Sequence, residues 1–171
     1  IVSRDWSSDV CSSDLVVVDG SDVEARTQML VASTMGATAF QRGLGAMHAL
    51  AHPLGALYDA HHGTLNAVLM PYVLEANRPA IASEIRRLAQ YIDLEPSTFE
   101  GFLNWVLGRR RGIGSPEELA ALEIGDDEAQ RIGQMAFEDP SASTNPISLT
   151  PSDYEAIFRN AVRGHMNCAT G

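Results

Sequence analysis

An all-α fold is predicted by three observations on this sequence. Helix-start signals recur along it: Ser21-Asp22-Val23-Glu24, Ser97-Thr98-Phe99-Glu100, Ser115-Pro116-Glu117-Glu118 and Thr150-Pro151-Ser152-Asp153. Each places a hydroxyl three residues before an acid, the pattern in which the two side chains satisfy each other's free backbone N–H groups. Between these signals, apolar residues return at three- and four-residue spacing. The only strand-like run is Val16–Val18, too short to support a sheet. The expected architecture is one helical bundle domain of about seven to nine helices.

In chain order, Ser21 is expected to cap a first helix that turns Ala25, Met29, Ala32, Met35, Ala39 and Phe40 inward. Gly43 and Gly45 mark a break or a close backbone approach. A second helix runs from about Ala46 to Tyr58, and a third starts at His62-Gly63 and is kinked or divided at Pro71. Pro79 suits the first turn of a helix with Ile81, Ile85, Leu88 and Ile92 on one stripe. The helix opened by Ser97 buries Phe99, Phe102, Leu103 and Val106, and ends in Arg109, Arg110 and Arg111, read as a solvated basic terminus. Ser115 opens a short helix, and Asp139 to Pro146 is a turn-rich loop. Thr150 opens the last helix, which turns Tyr154, Ile157, Phe158 and Val162 inward.

The chain of 171 residues carries 22 acids against 12 bases, a formal charge of −10. A surface of that sign repels phosphate backbones and anionic lipid, so neither nucleic acid nor membrane is expected as a partner. No apolar run approaches the roughly 20 residues that span a bilayer. The two cysteines, Cys11 and Cys168, sit at opposite ends and make no disulfide framework. Residues 5–15, Asp-Trp-Ser-Ser-Asp-Val-Cys-Ser-Ser-Asp-Leu, resemble one translated frame of a common sequencing-adapter oligonucleotide. Residues 1–15 are therefore expected to be a non-native lead, with the helical domain over 16–171. The natural protein is expected to continue upstream of Val16.

Four of the five histidines fall between His48 and His62. His48 and His52 are four apart and share one helix face. His62 is fourteen residues after His48, about 21 Å along an unbroken helix. Two ligands of one metal each lie about 2 Å from it. The chain must therefore reverse between them if both serve one centre, and Gly55, Asp59 and Gly63 are the candidate sites. Imidazoles in so apolar and small-residued a segment are costly unless paired. A cluster of this type suits Fe²⁺ or Zn²⁺, which accept neutral imidazole. Satisfied core or surface histidines are the competing reading.

The run Gly43-Leu-Gly-Ala-Met-His48-Ala-Leu-Ala-His52-Pro-Leu-Gly-Ala-Leu-Tyr58, then His62-Gly-Thr-Leu-Asn66-Ala-Val-Leu-Met-Pro71, resembles the iron-containing (group III) alcohol dehydrogenases. Glu24-Ala25-Arg26, Ala39-Phe40 and Asn145-Pro146 extend the resemblance over residues 16–165. It implies the carboxy-terminal helical domain of a dehydroquinate-synthase-like, two-domain enzyme, without its amino-terminal α/β nucleotide-binding domain. It also implies one divalent metal, Fe²⁺ or alternatively Zn²⁺, held by an Asp and three His. Of these, His48 and His62 are present here and the other two lie upstream. His52 corresponds to the histidine associated with proton handling near the nicotinamide, whereas His61 takes no role. Phe40 lies where the family approaches its pocket, but core packing explains it better.

The implied reaction is reversible oxidation of a small-molecule alcohol to an aldehyde or ketone, with NAD or NADP bound mainly by the missing domain. A cytoplasmic enzyme is implied, one that forms a homo-oligomer at full length. The chain as it stands is expected to be inactive and to bind metal weakly. A glycerol-type or maleylacetate-type reductase of the same fold, and a non-catalytic helical interaction domain, are the alternatives.

Overall fold

A computed structural model describes residues 12–166, and among them there is no strand. Seven α-helices follow one another: α1 (Ser12–Val18), α2 (Val23–Ala39), α3 (Gly45–Tyr58), α4 (His62–Tyr91), α5 (Phe99–Gly112), α6 (Ala129–Glu138) and α7 (Pro151–Arg163). Short 3₁₀ turns occupy Phe40–Arg42, Leu119–Leu122 and Pro140–Thr144. No helix among the described residues is long and apolar enough to cross a membrane.

The chain divides into two compact units, Ile1–Arg42 and Gly43–Gly171. The division falls inside the span 16–171 read as one domain. It coincides with Gly43 and Gly45, whose φ angles of +104° and +67° interrupt the helical backbone where only glycine is comfortable.

In the first unit, Val16–Val18 belongs to α1 rather than to a strand. α1 begins at Ser12, inside the stretch read as a non-native lead, while residues 1–11 of that stretch lie outside the described residues. Asp22, not Ser21, caps α2 by accepting from the Ala25 N–H. Ser21 instead donates both its N–H and its hydroxyl to Asp19 Oδ1, a local side-chain bond that competes with capping. The expected inward stripe of α2 reduces to Ala25, since Met29, Met35 and Phe40 are exposed.

The second unit is built around α3 and α4, with α6 and α7 packed on one another and on α3. Leu50, Leu54, Leu65, Val68, Leu69, Ile132, Tyr154 and Phe158 fill the core. α4 runs unbroken through Pro71 and Pro79, against the expected division into two helices. A proline removes one hydrogen bond of the ladder. Around Pro71, burial of Val68, Leu69, Tyr72 and Val73 outweighs that loss. The Ile81 to Ile92 stripe is displaced: Leu88 and Ile92 are exposed and Ala89 is buried instead.

α5 buries Phe99, Leu103 and Val106 as expected, with Phe102 half-buried. Its basic end departs from the solvated reading at Arg110, which is buried and donates to the Val68 carbonyl. Glu118 leads into the 3₁₀ turn Leu119–Leu122 without a side-chain cap, where Ser115 was expected to open a helix. α6 carries no hydroxyl-to-acid start signal, and Glu128 precedes it without a side-chain cap. In α7 the capping box between Thr150 and Asp153 is complete, and Tyr154, Ile157, Phe158 and Val162 are all buried.

Candidate metal and proton-relay site

α3 starts without a cap of its own, for Leu44 offers no side-chain acceptor. The acceptors arrive from about a hundred residues downstream. Thr144 Oγ1 accepts from the N–H groups of Leu44 and Gly45, each at 3.1 Å, and Asn145 Oδ1 accepts from Ala46 N–H at 3.0 Å. Asn145 is held in turn by Asn77 of α4, through reciprocal amide bonds of 2.9 and 2.7 Å. The turn-rich loop is thus locked against the helix that carries His48 and His52. The same close approach excludes a side chain at Gly43, where a Cβ would lie 2.3 Å from that of Thr144.

The reversal between α3 and α4 occurs at Asp59, which adopts a left-handed conformation with φ 52°. His61 then caps α4, its Nδ1 accepting from Thr64 N–H, which accounts for the one histidine of the cluster given no chemical role. His48, His52 and His62 are brought together: ring centroids lie 5.1 Å apart for His48 and His62, 5.7 Å for His52 and His62, and 5.9 Å for His48 and His52.

The three rings do not play equal parts. His48 Nε2 and His62 Nε2 both face the Asn66 amide nitrogen, at 3.4 and 2.9 Å. Two imidazole lone pairs therefore converge on one small region, in which the Asn66 Oδ1 is buried and has no hydrogen-bond partner. Burial holds the His48 imidazole below its ordinary pKa, and repulsion from His62 and His52 adds to it, against a backbone hydrogen bond to Leu44 and the Asp139 charge. The neutral ring is the form that ligates metal. These two donors fit a divalent metal but do not complete a shell. Among the described residues, no group of three or more His, Cys, Asp or Glu is disposed to hold one.

His52 points to a different partner. Its Nδ1 lies 2.9 Å from Asp139 Oδ2, while its side chain remains 43% exposed and that of Asp139 only 13%. The other Asp139 oxygen accepts from Ser141 N–H at 2.8 Å and starts the 3₁₀ turn. Burial alone raises the Asp139 carboxyl, but the hydrogen bonds from His52 and Ser141 outweigh it and leave the group below the usual carboxylate value. Asp139 had been legible only as a turn residue, and no spacing in the sequence links it to a histidine eighty-seven residues earlier.

The family description "Fe-containing alcohol dehydrogenase family, C-terminal" matches residues 12–162. The chain belongs to this family. It is 35% identical over 153 residues to 4-hydroxybutyrate dehydrogenase of Cupriavidus necator, covering 84% of this chain and 40% of that protein. It is 34% identical over 149 residues to 1,3-propanediol dehydrogenase of Klebsiella pneumoniae, covering 83% of this chain and 38% of that one. Among solved structures, a 1,3-propanediol oxidoreductase superposes with a TM-score of 0.79 at 30% identity, covering 88% of this chain and 43% of its own. The chain thus spans about two fifths of the length of the curated relatives it matches. The all-helical fold is that of the family's carboxy-terminal part.

Proposed function

We propose that this chain is the metal- and substrate-facing helical part of a longer NAD(P)-linked alcohol dehydrogenase, which interconverts a small alcohol and its aldehyde or ketone. The observation that carries the proposal is the convergence of His48 Nε2 and His62 Nε2 on one amide, within a chain of the iron-containing alcohol dehydrogenase family. His48 and His62 are two ligands of one Fe²⁺, with Zn²⁺ as the alternative. The remaining ligands, an Asp and a His, come from an upstream segment. When bound, such a metal supplies Lewis acidity toward the substrate oxygen. The nicotinamide supplies the hydride chemistry.

The residues of this chain have three tasks. His48 and His62 present nitrogen donors, and burial of His48 favours its neutral form. The α3–α4 reversal holds the two donors together across fourteen residues of chain. His52, on the exposed flank, would take the proton lost by the alcohol and return it in the reverse direction. At full length the enzyme is a homo-oligomer in the cytoplasm.

Zinc titration of this chain by calorimetry is expected to show weak binding that His48→Ala and His62→Ala each abolish and His52→Ala preserves. Binding indifferent to the first two substitutions sinks the ligand assignment. The chain by itself is expected to oxidise no alcohol with NAD or NADP. Turnover that copurifies with it and vanishes in His48→Ala overturns the need for an upstream half.

A further inference from the structure

We propose that Asp139 is a positioning residue that fixes which nitrogen of His52 carries the proton. The proposal deepens the proton-handling role given to His52 and rests on that reading for its catalytic meaning, though not for its test. An ionised carboxylate can only accept hydrogen bonds. With Asp139 Oδ2 at 2.9 Å from His52 Nδ1, that nitrogen bears the hydrogen, and in the neutral ring the lone pair is left on Nε2. Nε2 is then free to receive a proton. The ring is also tethered on the side of the 3₁₀ turn, although it lies only 5.7 Å from the His62 ring and stacks on it at 13°.

The tether is anchored at every link. Asp139 is committed through its other oxygen to Ser141 N–H. The turn that follows is fastened to α3 by Thr144 and Asn145, and Asn145 is fastened to α4 by Asn77. The carboxylate therefore cannot follow the ring if it rotates, so the ring conforms to the carboxylate. Nothing in this arrangement requires Asp139 to touch substrate or cofactor.

Asp139→Asn separates positioning from folding. The amide oxygen of asparagine can still accept from Ser141 N–H and preserve the turn, which leaves its NH₂ facing His52. An NH₂ donates, so Nδ1 must become the acceptor and the hydrogen must move to Nε2. The experiment is long-range ¹H–¹⁵N correlation of the histidine-labelled chain, at a pH above the imidazole titration range. His52 is expected to show a protonated Nδ1 and an unprotonated Nε2, and the two signatures to exchange in Asp139→Asn. In Asp139→Ala an averaged pattern of both forms is expected, with the backbone amide spectrum reporting that the fold persists.

A His52 protonated on Nε2 in the unaltered chain overturns the proposal. So does the same tautomer in the unaltered chain and in a folded Asp139→Asn. In the full-length enzyme, Asp139→Asn is expected to lower kcat roughly 10- to 100-fold with KM little changed. If the tautomer exchanges while kcat stays constant, the positioning stands and the proton-handling role of His52 falls.

Discussion

Helices α2 and α7 both begin on a side-chain cap and both contain plentiful apolar residues, yet α2 buries Ala25 alone while α7 buries Tyr154, Ile157, Phe158, Ala161 and Val162. The difference lies in order rather than in composition. The α7 residues repeat at intervals of three and four and make one continuous face. Those of α2 include Val23, Met29, Leu30, Val31 and Met35, which point in several directions around the axis, and all five are exposed. Capping starts a helix, but only a coherent face commits it to a core.

The largest expected effect tests this contrast in the core. Phe158→Ala should cost about 3–5 kcal/mol in chemical denaturation. Leu30→Ala in α2 should change stability by no more than about 0.5 kcal/mol. Equal losses at the two sites would break the comparison. A glycine pair sharpens it by sign. A Cβ on Gly133 of α6 would lie 2.6 Å from the Pro151 carbonyl oxygen, whereas one on Gly36 of α2 meets nothing within 4 Å. Gly133→Ala is therefore expected to destabilise by about 1–3 kcal/mol. Gly36→Ala should raise helicity by circular dichroism and stabilise α2 by up to ~1 kcal/mol.

At the next level down, Thr150→Ala should cost about 1 kcal/mol in thermal unfolding by removing the capping box of α7. The smallest effect is on pH dependence. Hydrogen bonds from the Thr150 side chain and backbone hold the Asp153 carboxyl below its ordinary 3.8. A carboxyl depressed by folding contributes stability in full above its unfolded value and loses it as pH falls through the folded one. The melting temperature should thus decline below about pH 3.8. The decline should be shallower in Asp153→Asn. An identical slope in the variant would remove Asp153 from the account.

The legibility of the chain follows the same division. α7 could be read in full because its cap, its proline and its stripe agree with one another. α4 could not, because the weight against Pro71 comes from Val68, Leu69, Tyr72 and Val73 packed on distant helices, which local signals do not carry. In the site, His48, His52 and His62 were visible from spacing and family resemblance, and the reversal they require occurs at Asp59, one of the three positions offered. Asn66 stood in the resemblance run, four residues after His62, but without a role. Asp139 was invisible as a site member, because its partner is fixed by the packing of a loop, and a carboxylate in a loop has many duller uses. Arg110 shows the reverse error: a basic cluster suggested a solvated end, but its middle member reaches a carbonyl across the α4–α5 contact.

The remote capping of α3 also imposes an order in time. A chain emerging from a ribosome exposes the helix bearing His48 and His52 well before Thr144 and Asn145 exist to satisfy its first N–H groups. At synthesis rates of about 5–20 residues per second, a gap of about a hundred residues lasts roughly 5–20 s. Through that interval the two histidine helices can pair, but their leading turn stays open to water. A loop made late in this unit, with only α7 to follow it, is therefore what closes the site, and a nascent chain that stops before Thr144 would display its histidines on a helix without a fixed beginning.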